Sequence, residues 1–323
     1  PDAIVASLDG NGASADLITY WIGYNATYLN SYMQHYGGGA LDWDYTMSDG
    51  TTMPDYIKQD VLATVKQELL IENLANKYGV TLTDEQRAAI ESDEQNFITQ
   101  YGSEEAFDEE LAKLGLRRET YERITATNYL YQNLYKLYLT EGSALYASDE
   151  DLAAYAAAQN YITADHILLT TVDTATGEAL SDEAIAEKKA LAEELAEKLK
   201  NYTGDDLASY FAELADEYSE DPGRASYPTG YTFTTGSMVQ EFEDAAYALD
   251  EGAVSDIVES SFGYHILLRL PLDKAAAAES VREAYFTNFI DEQLEKVTLA
   301  TSEQFDALDA QALYEAITAA QAE

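Results

Sequence analysis

Through the first half of the chain apolar residues recur every three or four positions, the period of a helix with one buried face. Ile57, Val61, Val65, Leu69 and Leu70 set a helix over residues 53–78, which Gly79 stops. Thr83 with Gln86 reads as a capping box opening a helix over 83–101, and another follows over 104–114, with Gly102 and Gly115 as punctuation. Tyr121, Ile124, Leu130, Leu134, Leu137 and Tyr138 mark a long helix over 118–139, and Ser148 with Asp151 opens one ending near Gln159. At the start, residues 3–8 read as a short strand and 9–12 as a turn. Ser14 caps a helix reaching about Tyr36, where Gly37, Gly38 and Gly39 stop it. That helix carries Tyr20, Trp21, Tyr24, Tyr28 and Tyr32. Helical spacing favours a core face for them, and a tyrosine wall holding unfolded peptide is the other reading.

After residue 161 the pattern shortens. Residues 164–170 read as a strand, followed by a polar turn at 174–177. Two helices follow, over 182–200 with Ile185, Ala192, Leu195 and Leu199 inward, and over 205–218 with Leu207, Phe211, Leu214 and Tyr218 inward. An irregular loop then leads to a short strand at 231–233, a helix over 239–249, a break at Glu251 and Gly252, and two extended runs, the second ending at residue 268. The order β-α-α-β-α-β-β predicts a small antiparallel or mixed sheet flanked by helices, so the chain is of α+β class. Beyond Pro271 a helix over 274–297 carries Val281, Tyr285, Phe289 and Leu294 as its stripe, and one more helix is expected over 302–320.

Composition narrows the function. Sixty acidic residues against 18 basic give a net charge of −42, which repels phosphate backbones and anionic lipid, so nucleic acid is excluded as a partner. Apolar content of 46% is that of a folded protein, and no apolar run nears the roughly 20 residues that span a bilayer. With no cysteine there are no disulfides, thiolate metal sites or cysteine nucleophile. Asp42, Asp44 and Asp49 are spaced somewhat like a calcium loop, but Met47 stands where such a loop needs glycine and Met53 where it needs glutamate. Neither Gly-x-Ser-x-Gly, His-Glu-x-x-His nor a glycine-rich phosphate fingerprint occurs, and no cofactor is expected.

One stretch carries the most information. It has a Met-x-x-x-Phe opening at Met238 and Phe242, then FED-AAY-AL over 242–249, an acidic-glycine turn, and FGYHIL closing at 262–267. Upstream lie ADHILL at 164–169 and LASYFAELADEYSED at 207–221. In this order over about 110 residues these segments resemble the parvulin family of peptidyl-prolyl isomerases. The helical part, with GVTLTDEQ at 79–86 and FDEELAKLGL at 107–116, looks like the amino-terminal chaperone segment of the PrsA and SurA foldases.

The resemblance implies three parts: a helical chaperone segment at 1–161, a parvulin domain at 162–272, and a C-terminal helical segment at 273–323 that packs with the first. It implies a polar network of His166, Asp221 and His265 beneath an apolar proline pocket of Met238, Phe242, Phe233 and Phe262, with no metal. The histidines read equally as structural supports and as direct catalytic groups, and the Met238, Phe233 and Phe242 trio alone would read as ordinary core. The activity implied is non-covalent cis/trans isomerisation of X-Pro bonds in unfolded or newly exported polypeptides. The rival is a holdase with an inactive parvulin domain. By resemblance to the PrsA lipoproteins of Gram-positive bacteria, the protein is expected outside the cytoplasm and anchored on the outer face of the membrane, with a homodimer open. The chain starts at Pro1 without Met, and removal of an export or anchoring segment is part of that expectation.

Three departures matter. Of the family's Gly-Gly-Asp-Leu-Gly loop only Gly230 remains, preceded by Ser226, Tyr227, Pro228 and Thr229. Ser237 replaces the glutamine that often precedes the pocket methionine. Asp173, Glu178 and Asp182 stand where phosphate-directed parvulins are basic, so phospho-Ser-Pro substrates should be refused.

Overall fold

A computed structural model describes residues 3–37, 39–173 and 176–322. The expected stop at Gly38 and the start of the polar turn at Thr174 lie outside the described residues. Asp9 and Gly10 both have positive φ, 51° and 86°, which closes a two-residue hairpin. Strand β1 (Ile4–Leu8) therefore pairs at once with β2 (Asn11–Ser14), and the turn expected over 9–12 is only half that long. Helix α1 (Ala15–Tyr32) follows and ends in a π-helical turn, Met33–Gly37.

On α1 the core reading of the aromatic residues holds only in part: Tyr20 packs, partly buried, against Phe107, Leu111 and Leu116, but Tyr24, Tyr28 and Tyr32 are exposed. Ile18, Ile22 and Ala26, four apart, fill the seam, whereas Tyr28 and Tyr36 are 66% and 73% exposed and Tyr24 and Tyr32 stand about half in solvent. Aliphatic and small side chains allow close helix approach, and the rings are left on the outer side.

Helix α2 (Met53–Tyr78) opens with Thr52 accepting from the Asp55 amide and closes on Gly79 at φ 67°. Helices α3 (Asp84–Tyr101), α4 (Glu104–Lys113) and α5 (Arg118–Leu139) follow, α3 behind the capping box of Thr83 and Gln86. Buried Asp16 ties α5 to α1: Arg117 donates to it from Nε at 3.1 Å and Nη2 at 3.2 Å, and Thr120 Oγ1 at 2.5 Å. Burial opposes its ionisation, but these bonds prevail and hold the carboxyl down at about 2.

Helix α6 (Asp149–Ala158) leads into β3 (Ile162–Thr170), buried along its whole length. Then come α7 (Asp182–Lys200), α8 (Leu207–Tyr218), β4 (Tyr231–Phe233), α9 (Gln240–Ala248), β5 (Val258–Glu259), β6 (Gly263–Leu270) and α10 (Lys274–Lys296). The sheet order is β4-β3-β6-β5, antiparallel throughout. Alternation along the strands splits their side chains between two layers. Ile167, Leu169, Tyr264, Ile266 and Leu268 pack on α7 and α8. Ile162, Ala164 and Leu267 pack on Phe242 and Ala246 of α9.

Beyond α10 the chain adds β7 (Ala300–Thr301), α11 (Glu303–Asp306) and α12 (Ala310–Gln321). The single helix expected over 302–320 is thus two, and β7 pairs with β1 to make a second sheet, β2-β1-β7. On α10 the buried line is Ala277, Ala278, Val281, Phe286 and Ile290; of the expected stripe only Val281 is fully buried. The described chain forms two compact units: the segment up to Tyr146 together with that from Asn288, and Ala147–Thr287. The sequence division at 161/162 and 272/273 leaves α6 and the start of α10 outside the second unit. The structure includes them, and Tyr155 of α6 meets Tyr285 of α10 edge to face at 5.0 Å.

Gly263 opens β6 opposite Thr170 at φ 146°, and any Cβ there would collide with the Leu169 carbonyl. Gly263→Ala should therefore cost about 2 kcal/mol or more of stability, read as a lower urea midpoint with an unchanged m-value.

Candidate functional site

The register of β3 on β6 builds the site. His166 faces Leu267 and Leu168 faces His265, so the two histidines are diagonal neighbours on the α9 side of the sheet. Their Nδ1 atoms are 3.3 Å apart, and both residues are buried, His265 to 3% exposure. His265 Nε2 makes a 2.7 Å hydrogen bond with Ser260 Oγ, in the turn between β5 and β6.

Asp221 arrives by a different route. β4 covers only the first part of β3, at residues 162–164, which leaves the rest of that edge open. The segment after α8 fills it. The Glu220 amide donates to the Leu168 carbonyl at 2.7 Å, the Leu168 amide to Ser219 Oγ at 3.1 Å, and the Thr170 amide to Glu220 Oε2 at 2.8 Å. Buried Arg224 holds the same segment through Asp165, at 2.6 Å from Nη1, and through Asp216, at 2.9 Å from Nε. Asp221 Oδ2 then lies 3.1 Å from His166 Nε2, an ion-pair distance without straight hydrogen-bond alignment. The same oxygen accepts from Tyr231 OH at 2.6 Å, and Oδ1 from the Gly223 amide at 3.0 Å.

These contacts set the charges. Burial opposes ionisation of Asp221, but His166, Tyr231 and the Gly223 amide outweigh it and hold the carboxyl well below its ordinary range. Burial, and then the Asp221 carboxylate, push the Tyr231 phenol up. Burial, and then His166, lower His265 to about 4.

Above the histidines lies an apolar layer. The Phe242 ring is edge-on to His166 at 5.1 Å and to His265 at 5.6 Å, and lies 5.7 Å from Phe233. Met238 packs in the same cluster, partly exposed. Six of the seven expected residues, His166, Asp221, His265, Met238, Phe242 and Phe233, are therefore in one place. Phe262 adjoins them through its backbone, its amide donating to Ser260 Oγ at 3.1 Å. It stands 50% exposed in the turn before β6, and among the described residues no ring contact joins it to the others. Its neighbour Gly263 starts the strand, so Phe262 falls outside the alternation that orients His265.

Three residues were missed by sequence reasoning. Tyr231 and Ser260 end the polar chain that runs through both histidines and Asp221. Buried Glu243 accepts from the Gly236 amide at 3.0 Å and the Met238 amide at 2.8 Å, which fixes the backbone that carries the pocket methionine. Glu243 sits in the FED word beside Phe242, so its signal was present. Tyr231 had only its place after Gly230.

The family described as Rotamase, the PPIC-type PPIASE domain, matches residues 166–270. The foldase protein PrsA of Staphylococcus aureus is 27% identical over 255 residues, which cover 78% of this chain and 71% of that protein. The solved peptidylprolyl isomerase PrsA of Bacillus anthracis aligns at 22% identity and a TM-score of 0.26, over 81% of this chain and 97% of that one. The parvulin NmPin of Nitrosopumilus maritimus aligns at 35% identity and a TM-score of 0.24, over 34% of this chain and 96% of its own. The two imidazoles, the acid beside them and the apolar layer above all fall between residues 166 and 270, which form a PPIC-type peptidyl-prolyl cis-trans isomerase domain of the parvulin class, in a chain similar along most of its length to PrsA foldases.

Proposed function

We propose that this protein is a foldase that isomerises X-Pro bonds without covalent chemistry, in a notch formed by Met238, Phe242 and Phe233 over the His166–His265 pair. Rotation about the bond breaks amide resonance, a barrier of roughly 18–20 kcal/mol. A site that draws the peptide out of water and fits the twisted amide better than either planar form lowers it. The observation that carries the reading is the apolar layer set on two buried imidazoles.

With Asp221 ionised and His265 neutral, one order of protons fits the distances. Ser260 donates to His265 Nε2, His265 Nδ1–H donates to His166 Nδ1, and the His166 Nε2 proton faces Asp221. The network holds the strands and the pocket floor in place. Clients on this reading are unfolded polypeptides, newly exported ones by the likeness to PrsA, and work outside the cytoplasm with a membrane anchor belongs to the same proposal. The acids at 173, 178 and 182 disfavour phosphorylated clients.

A holdase role has support of its own. Residues 17–41 contain no Asp, Glu, Lys or Arg, and Tyr24, Tyr28 and Tyr32 of α1 stand exposed there. Such rings offer large contact area at little entropic cost. On this reading, suppression of client aggregation survives deletion of residues 162–272 and no isomerase activity is found. On the isomerase reading, Met238→Ala lowers kcat/KM for an X-Pro peptide by about ten-fold or more and leaves aggregation suppression intact. An unchanged rate would sink it.

The pH dependence of stability checks the buried imidazole. In the unfolded chain His265 takes a proton near pH 6.5, in the folded chain only near 4. Between these values the unfolded state binds more protons at this site, so the contribution of His265 is full above pH 6.5 and falls as pH drops towards 4, by on the order of 3 kcal/mol. Asp221, held down in the fold, adds a loss of the same sign at lower pH. Urea unfolding of wild type and His265→Gln at pH 7, 5.5 and 4.5 isolates the histidine: the stability of the wild type relative to the variant should fall as pH drops from 6.5 to 4.5, while terms common to both, such as the raised carboxyl of Glu68, cancel.

A further inference from the structure

We propose that Tyr227 and Tyr231 form an aromatic subsite for the side chain next to the substrate proline, and that it selects flat aromatic residues over small ones. The inference rests on the isomerase reading and deepens it by naming the substrate class.

Tyr231 already belongs to the site, edge-on to His166 at 5.6 Å and bonded to Asp221 through its hydroxyl. Tyr227 lies over it, with ring centroids 4.6 Å apart and planes inclined by 33°. Yet Tyr227 is 51% exposed, so part of its ring faces solvent beside the notch.

The loop holds that exposed ring in a set position. The Tyr227 amide donates to the Gly223 carbonyl at 3.0 Å, and the Gly230 amide to the Tyr227 carbonyl at 3.1 Å. Pro228 restricts the backbone of Tyr227 to extended conformations. Gly230, at φ 89°, lies against β3 so closely that a Cβ would come within 2.7 Å of the Ala164 carbonyl oxygen. Arg224 pins the other end of the loop through Asp165. An aromatic surface held this firmly orders little on binding, so contact area is converted into affinity with small loss.

Chemistry then sets the preference. A ring stacked or edge-on against Tyr227 gains a directional contact that alanine or glycine cannot make. Lys and Arg can also use the face of a tyrosine. Asp and Glu cannot, and they meet the Asp221 carboxylate and a chain of net charge −42. The neutral comparison of Phe with Ala therefore reports the rings, while the comparison with Glu reports the field.

The test uses the full-length chain and two peptide series, Xaa-Pro with a constant following residue and Pro-Yaa with a constant preceding one, where the variable residue is Phe, Lys, Ala or Glu. Isomerisation rates are read with peptide affinity by fluorescence anisotropy, so a chain without turnover still tests the subsite. In one series kcat/KM or affinity should favour Phe over Ala by about ten-fold. Tyr227→Phe should keep that preference, and Tyr227→Ala should reduce it to within about two-fold. Equal values for Phe and Ala in both series, or a preference that survives Tyr227→Ala, would overturn the subsite. Absence of turnover in every peptide, with the affinity preference present, would instead remove the isomerase reading and leave the subsite standing.

Discussion

The antiparallel pairing of β3 with β6 is the constraint on which the site depends. A register shift of one residue would turn every side chain of one strand to the other layer. His166 would then leave α9 for the aliphatic layer under α7 and α8, and Ile167 would take its place among the aromatic rings. The hydrophobic layers oppose this strongly, because Ile167, Leu169, Ile266 and Leu268 are all essentially out of water on one side. Packing on the far side of the sheet thus fixes the geometry of the polar side.

The second dependence is the uncovered edge of β3. A longer β4 would satisfy that edge with backbone pairing and leave no berth for the segment 219–224. Because β4 stops after three residues, the loop supplies the missing partners itself, and Asp221 is delivered beside His166 as a result. Arg224 then anchors the loop through Asp165, which lies next to His166 in the chain but points to the opposite layer. The carboxylate that interacts with the imidazole and the carboxylate that holds the loop are thus kept apart by strand alternation alone.

Much of this was legible in the chain. His166 and His265 sit in strands whose period of two dictates their side, and FED with AAY marks α9 by its helical spacing. What escaped depended on partners in other elements, at spacings that neither helix nor strand periodicity reports. Nothing around Tyr231 announces a carboxylate ten residues earlier as its acceptor. Ser260 reads as an ordinary turn residue until His265 folds back over it. The tyrosines of α1 have the spacing of a buried stripe, yet the seam went to Ile18, Ile22 and Ala26, because smaller residues allow closer approach. β2 and β7 are too short, and too poor in branched residues, to register as strands. On α10 the buried line passes through Phe286 and Ile290, one residue along from the Tyr285 and Phe289 that a fixed four-residue spacing selects.

Gly223 has a consequence for how the loop can vary. The Tyr231 hydroxyl occupies the space that any side chain at 223 would need. A larger residue at 223 is admissible only if position 231 first loses its phenol, and Asp221 then gives up an acceptor bond. The two positions change in a fixed order: a side chain at 223 must wait for loss of the phenol at 231, and the joint exchange would retune the acid next to His166.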